Sequence, residues 1–327
     1  MIDIFLNSFA PISFVFELIA LALSFYLKNS RIFFITLALL CSRGIYFYAS
    51  IYQAHLFVSL FLPFVFVLFV VLEKGVLIFE KKSLVRVGVL VFVGFLALFL
   101  SKSTNFNSSM SESLFDFNFF APVSELSFVF LGVELLFLLL WGFLKDELYF
   151  AAAFALSFIQ FLFQSSLHSS FFEFGSLFFI LYLVYHSYKS LYFDTFTKLP
   201  NQKAMKRALL GLKGFYIGAL RLQGFEGLNA REERNLFKKI GKILRKKGKK
   251  VRVFRVDDDF VFIFESLDES LAKEFLSNLK QGFENTSSWL KDKNLKLVAT
   301  AILFKNKEKF EENLLTIKES LAPEKRG

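Results

Sequence analysis

Three consecutive aspartates, Asp257, Asp258 and Asp259, stand between two short runs of β-branched and aromatic residues, Val251–Val256 and Phe260–Phe264. Runs of that type read as strands, so the acids form the tip of a β-hairpin. Carboxylates crowded on one turn repel one another and need a cation, a basic neighbour or full exposure to water. No other stretch gathers residues suited to chemistry. The single cysteine, Cys41, lies in an apolar run, which excludes a disulfide framework and a thiolate metal site. His55, His168 and His186 are too scattered for a histidine-rich metal site.

The elements that carry this tip follow from composition. Of 327 residues 55% are hydrophobic and 49 are Phe, too apolar for a wholly water-soluble chain. The formal charge of +10 is unevenly placed, because residues 192–327 hold 29 of the 39 Lys and Arg but 18 of the 29 acids. An apolar, nearly neutral part thus precedes a basic, water-soluble one. The first apolar run has no basic leader and is followed by others, which argues against a cleavable signal peptide.

A transmembrane helix needs about 20 mostly apolar residues. Seven stretches qualify: Phe9–Leu27, Ile32–Ile51, Leu56–Leu72, Val85–Leu100, Val123–Leu144, Leu148–Phe163 and Phe171–Tyr188, the fourth and sixth being short. Their connections alternate in charge. One set carries Lys28, Arg31, Lys74, Lys81, Lys82, Arg86, Lys145 and Lys189; the other carries only Lys102. The positive-inside rule puts the first set in the cytoplasm, so the N-terminus is outside and the basic part inside. Ser101–Pro122, the longest external segment, is Ser/Asn-rich and too short for a sizeable sensory domain. A stimulus must then be read within the spans or at their outer mouths.

Glu17, Arg43 and Glu134 lie well inside spans. Charges there face a partner or a cavity, so they form either a ligand or ion site or an Arg–Glu pair that fixes packing. Glu125 sits near an interface and reaches water. Gly44, Gly94 and Gly132 are candidates for close helix approach, without a clean GxxxG. His168 reads as an exposed loop residue.

The last span runs on without Gly or Pro, so the helix is predicted to continue toward Pro200 as a stiff connector. There the sequence reads Asp194-Thr-Phe-Thr-Lys-Leu-Pro-Asn201. Together with the acidic hairpin, this motif resembles the opening D-x-L-T-x-L-P-N-R of the GGDEF, or diguanylate cyclase, family. Asp194, Thr197, Leu199, Pro200 and Asn201 match; Phe196 is a mild change and Gln202 replaces Arg. The resemblance covers roughly residues 192–327. Elements predicted from periodicity agree in order: helix Ala204–Leu212, strand Phe215–Leu222, helix Leu236–Leu244, the hairpin strands, helix Ser270–Phe283, strand Leu295–Phe304 and a closing helix Glu308–Leu321. The predicted fold is an all-α polytopic membrane bundle of about seven spans, residues 1–190, followed by an α+β ferredoxin-like (βαββαβ) GGDEF-like domain, residues 191–327.

The resemblance implies a chemistry that joins two GTP molecules into cyclic di-GMP. Carboxylates hold divalent metal against the triphosphates, and turn glycines let backbone approach phosphate. This chain departs on both counts. The first strand of the family ends D-x-D-x-F-K with a metal-holding first Asp; here Arg221 stands in its place, Gln223 replaces the second Asp, and Phe225 is retained. Asn229 matches the family's guanine-contacting Asn, and Glu233 falls loosely where a second guanine-binding carboxylate stands. With Phe260 fixing the register, Asp258 and Asp259 fill the two acidic positions while Val256 and Asp257 replace both glycines; alternatively one residue is deleted before Phe260. The inhibitory R-x-x-D is replaced by Lys247 and Lys250.

These substitutions predict a pseudo-enzyme with no catalytic residues and no resident metal or cofactor, Mg²⁺ and GTP entering only if the domain is active. Arg221 is predicted to pair with Asp258 or Asp259. The basic run from Lys238 to Arg255 reads as a solvated face, an attraction to the anionic inner leaflet, or a nucleotide contact. Nucleic acid is not an expected partner, for lack of an aromatic stacking pattern. The expected partners are the lipid bilayer, a second copy of the chain, an unknown cytoplasmic protein and guanine nucleotide. The function expected is that of an integral signalling protein of the bacterial inner membrane, with its C-terminal domain cytoplasmic. An active diguanylate cyclase with divergent ligands, or a transporter or channel with a regulatory domain, are the alternatives.

Overall fold

The computed structural model describes residues 2–72, 77–100, 102–105, 124–159, 173–210, 212, 214–223, 228–246, 251–265, 268–285 and 298–305. Phe225, Lys247, Lys250, His168, the predicted helix Glu308–Leu321 and most of Ser101–Pro122 lie outside them. The chain divides into two units, Met1–Ser187 and Tyr188–Gly327.

Long apolar runs must satisfy their backbone polar groups within the segment, and a helix does that. The first unit accordingly holds α1 (Ile2–Tyr26), α2 (Ser30–Ser42), α3 (Ile51–Val71), α4 (Leu84–Leu100), α5 (Glu125–Lys145) and α6 (Tyr149–Phe158), and α7 (Glu173–Tyr192) carries the chain into the second. Polar residues set the helix ends. The Asn29 side chain accepts from the Ile32 amide to cap α2, Ser50 and Gln53 cap α3 reciprocally, and Asp146 closes α5 with a left-handed φ of 57°.

Among the described residues four helical stretches are long and apolar enough to cross a membrane: Ser30–Phe47, Ile51–Val71, Lys81–Leu100 and Glu125–Lys145. A 21-residue helix such as α3 extends about 31 Å, the thickness of a bilayer's hydrocarbon layer. With 10 residues, α6 is about half that length. Helices α4 and α5 bury little, leaving Phe95 68%, Phe143 71% and Leu144 81% exposed. Apolar surface of that extent is a liability in water and costs nothing against lipid tails. The bundle core is aromatic, with Phe34, Phe66, Phe69, Phe150, Phe154 and Phe179 fully buried.

Two sequence expectations are corrected in this unit. The second apolar stretch is not one helix to Ile51: α2 ends at Ser42 and residues Arg43–Phe47 wind as a 3-10 helix where Arg43 turns to Glu17. Nor do Gly44, Gly94 and Gly132 mediate close helix approach, since a Cβ at each would meet nothing within 4 Å. Close approach falls instead at Gly142, against the Leu148 backbone, and at Gly175, whose added Cβ would overlap the Ser157 hydroxyl.

In the second unit α8 (Gln202–Leu209), β1 (Phe215–Gln223), α9 (Ala230–Lys246), β2 (Val251–Val256), β3 (Asp259–Glu265), α10 (Glu269–Asn285) and β4 (Val298–Lys305) follow in order. The strands form one antiparallel sheet in the order β2-β3-β1-β4, the split β-α-β arrangement of a ferredoxin-like fold. Phe260, Phe262 and Phe264 face a core shared with α9 and α10, while Val261 and Ile263 face a second core with Met205 of α8. A strand buried on both faces has no reason to alternate, which is why β3 is written almost wholly in apolar residues.

Helix α7 stops at Tyr192, well short of Pro200, because the chain folds back and satisfies its end. The Asn201 side-chain amide donates to the Leu191 carbonyl, and the Asn201 backbone amide donates to the Tyr192 carbonyl.

Candidate functional site

The residues of the Asp194–Asn201 motif each have a local structural task. One Asp194 carboxylate oxygen accepts from the Phe196 and Thr197 amides and from the Thr197 hydroxyl. Leu199 is buried in the core against α9. The Pro200 carbonyl accepts the Arg255 amide, tying the motif to β2, and the Asn201 side chain caps α8 through the Lys203 and Ala204 amides. This loop lies on Gly241 of α9, where a Cβ would overlap the Thr197 carbonyl oxygen. A mid-helix Gly→Ala change ordinarily gains about 1 kcal/mol. Backbone cannot yield as a side-chain tip can, so Gly241→Ala is expected to cost about 2 kcal/mol net. Gly282→Ala, on α10 with open space around it, is expected to show the ordinary gain. Denaturant unfolding of the two variants checks the contrast; equal shifts would refute it.

The acidic tip is resolved by two arginines, one on each face of the sheet. The ladder pairs Val256 with Asp259, leaving Asp257 and Asp258 as a two-residue turn with φ of 52° at Asp257. Asp tolerates that left-handed geometry better than most residues, so the turn closes without glycine. Val256 is in the strand. Across the sheet Arg221 stands directly opposite Asp259. Its Nε donates to Oδ1 at 2.7 Å and its Nη2 to Oδ2 at 2.8 Å, a two-pronged ion pair with the Asp259 side chain only 3% exposed. Of the two aspartates predicted as partners for Arg221, the structure selects Asp259. The bonds to Asp259 raise the Arg221 pKa above its ordinary value.

Arg255 serves the other face. It is buried between the Phe237 and Phe260 rings, 4.7 and 4.6 Å from their centroids, and its Nη1 donates to the Asp258 carbonyl at 2.7 Å. The exposed Asp258 carboxylate is 3.6 Å away. Burial lowers the Arg255 pKa, with the nearby aspartates opposing it. A solvated face was one of the readings of the basic run, and among its described residues Lys238, Lys239, Lys242, Arg245, Lys246 and Arg252 are exposed whereas Arg255 is buried. Arg252 and Arg255 are three residues apart in a strand, hence on opposite faces, and that spacing is the signal that separates them.

These residues do not fit a divalent cation as arranged. Both oxygens of the buried acid are held by a guanidinium, Gln223 brings no charge, and among the described residues no three His, Cys, Asp or Glu cluster as ligands. Asn229 caps α9, its side-chain oxygen accepting the Arg231 and Glu232 amides. Beside it a cavity of about 430 Å³ is lined by Phe196, Ala230, Arg231, Glu233, Arg234 and Phe237. Arg234 stacks over Phe196, and Phe237 is the ring that also carries Arg255. The site thus sets this cavity beside Phe237, the ring that carries Arg255, and next to a tip whose buried acid, Asp259, is neutralised by Arg221.

In the first unit Glu17 and Arg43 form a two-pronged pair, Nε to Oε2 and Nη2 to Oε1, both 2.8 Å, with Glu17 fully buried. Glu134 stands apart, with no partner for its Oε2 among the described residues. A second buried pair was not anticipated: Arg31 donates from Nη1 to Glu147 at 2.8 Å and from Nε to the Leu72 carbonyl at 3.0 Å. Flanking spans as it does, Arg31 read only as a topology signal.

No protein-family profile matches the chain, and no curated protein matches it. Solved structures do. The chain is 15% identical to the helix–GGDEF–EAL portion of Vibrio cholerae LapD bound to c-di-GMP, over 42% of this chain and 35% of that one, with a TM-score of 0.34. It therefore spans about a third of the length of that solved portion. It is 15% identical to the GGDEF domain of Caulobacter crescentus DgcB in complex with c-di-GMP, over 40% of this chain and 85% of that one, with a TM-score of 0.33. It is 16% identical to the Pseudomonas aeruginosa FimX GGDEF domain, over 38% and 87%, with a TM-score of 0.30. Each of these three solved structures is a GGDEF domain or contains one.

Proposed function

We propose that this chain is an integral signalling protein of the bacterial inner membrane, with seven helical stretches crossing the bilayer, the N-terminus outside and the GGDEF-like unit in the cytoplasm. In this reading that unit is catalytically inactive, binds guanine nucleotide or a cytoplasmic protein partner, holds no resident metal, and works as a homodimer. One observation carries the reading: the guanidinium of Arg221 holds the buried acid of the tip by both oxygens. Metal-assisted phosphoryl transfer draws several kcal/mol of stabilisation from its cations, and a fixed positive charge on the acid that would hold one opposes their binding. Nucleotide binding without turnover is supported by the cavity at Phe196, Glu233 and Phe237, which needs no metal to take an aromatic base. A transporter has less support, since Glu17 and Arg43 satisfy each other.

The test uses the full chain in lipid nanodiscs. Incubation with GTP and Mg²⁺ or Mn²⁺ is expected to yield no cyclic di-GMP above the protein-free control, while calorimetric titration with GTP or cyclic di-GMP is expected to give saturable heat. Sustained formation of cyclic di-GMP would overturn the inactive reading. Silence with both nucleotides would leave protein partners as the output.

A further inference from the structure

The glycines that make no helix contact make room instead. Gly44 and Gly94 both line a cavity of about 400 Å³ between α2, α3 and α4, whose wall also includes Cys41, Tyr48, Leu62 and Ala97. A Cβ added at Gly94 would meet nothing within 4 Å. Along α4 the lining runs from Leu90 to Leu98, about 12 Å at ~1.5 Å per residue. That is close to the ~15 Å depth of one leaflet's hydrocarbon. Past the end of α4, Lys102 places its ammonium 5.6 Å from the Tyr48 ring centroid. A ring in the wall of this apolar slot, Tyr48, therefore carries a cation.

We propose that this slot binds a long-chain amphiphile with an anionic head, its tail between α2, α3 and α4 and its head at Lys102. The inference rests on the reading that this unit spans a membrane, and it supplies a class of stimulus that helices within a bilayer could sense. An acyl tail matches the apolar lining, and transfer from lipid to the slot costs it little. The discrimination comes from the head, because one lysine near the membrane surface attracts an anion with about 1 kcal/mol. A free carboxylate and a phospholipid share that chemistry.

The full chain in phosphatidylcholine nanodiscs, photolysed with a diazirine analogue of palmitic acid and mapped by mass spectrometry, tests the proposal. Adducts are expected to concentrate on the α2 and α4 peptides and to fall about tenfold or more in Gly94→Phe, which adds an aromatic ring at the wall of the slot. Excess palmitate should compete; loss of adducts on adding phosphatidylglycerol instead identifies a phospholipid as occupant. Lys102→Glu is expected to weaken palmitate about tenfold while leaving hexadecanol competition unchanged. Adducts spread evenly over the helices, or undiminished in Gly94→Phe, overturn the proposal, and equal weakening of palmitate and hexadecanol overturns the place of the head. A chain that will not enter nanodiscs overturns the membrane reading and this proposal with it, whereas one that enters and labels evenly overturns this proposal alone.

Discussion

Arg221→Asp is expected to loosen the C-terminal unit in the presence of a chelator and to regain most of its thermal stability in millimolar Mn²⁺. Arg221 and Asp259 are directly opposed on neighbouring antiparallel strands. Side chains so placed have Cβ atoms about 5 Å apart, so the variant sets two carboxylates against each other. Asp259 cannot escape to water, its side chain being 3% exposed. Leaving a buried ion without its partner costs about 3–5 kcal/mol, a large share of the ~5–15 kcal/mol that holds a domain together. A divalent cation between the two acids removes the repulsion, and at a hundred times its Kd contributes about 2.7 kcal/mol. Arg221→Ala is expected to show the same loss with no response to metal. Hydrogen exchange of the β1 and β3 amides in the full chain separates this unit from the helices. A variant as stable as the parent, or one indifferent to Mn²⁺, would remove the basis for an internally neutralised site.

A second large effect is expected in the helical unit. Arg43→Leu removes from the fully buried Glu17 the guanidinium that holds both its oxygens, and should lower stability by about 3–5 kcal/mol. Glu17→Leu with Arg43→Leu together should recover most of that, because replacing a buried pair by apolar side chains is often neutral. Thermal unfolding of single and double variants in detergent, followed by circular dichroism, makes the comparison. If the double variant falls as far as the single one, the pair does more than fix packing, and an ion or ligand role for Glu17 gains ground.

Much of the architecture is legible from runs of neighbouring residues. Apolar length placed helices at the stretches read as spans, and the β-branched and aromatic runs placed β2 and β3 to within one residue. The loss of glycine at the tip and the cation at position 221 were equally visible, since they require no knowledge of what touches what. Helix ends were less legible. The end of α7 depends on Asn201 folding back onto Leu191, 10 residues earlier, and no periodicity encodes that.

The chain order alone, then, determined where the apolar and the basic parts divide, the kind and sequence of elements, and which residues gather at the acidic turn. These are properties of contiguous residues, set by period and length. The tertiary structure decided the pairings: Arg221 with Asp259 across 38 residues, Glu17 with Arg43 across 26, Arg31 with Glu147 across 116. It also decided that Arg255 is buried between two rings, and that Gly44 and Gly94 border empty space. Each of these depends on strand register or on the rotation of one helix against another, and those are fixed by the packing of the whole unit rather than by any one segment.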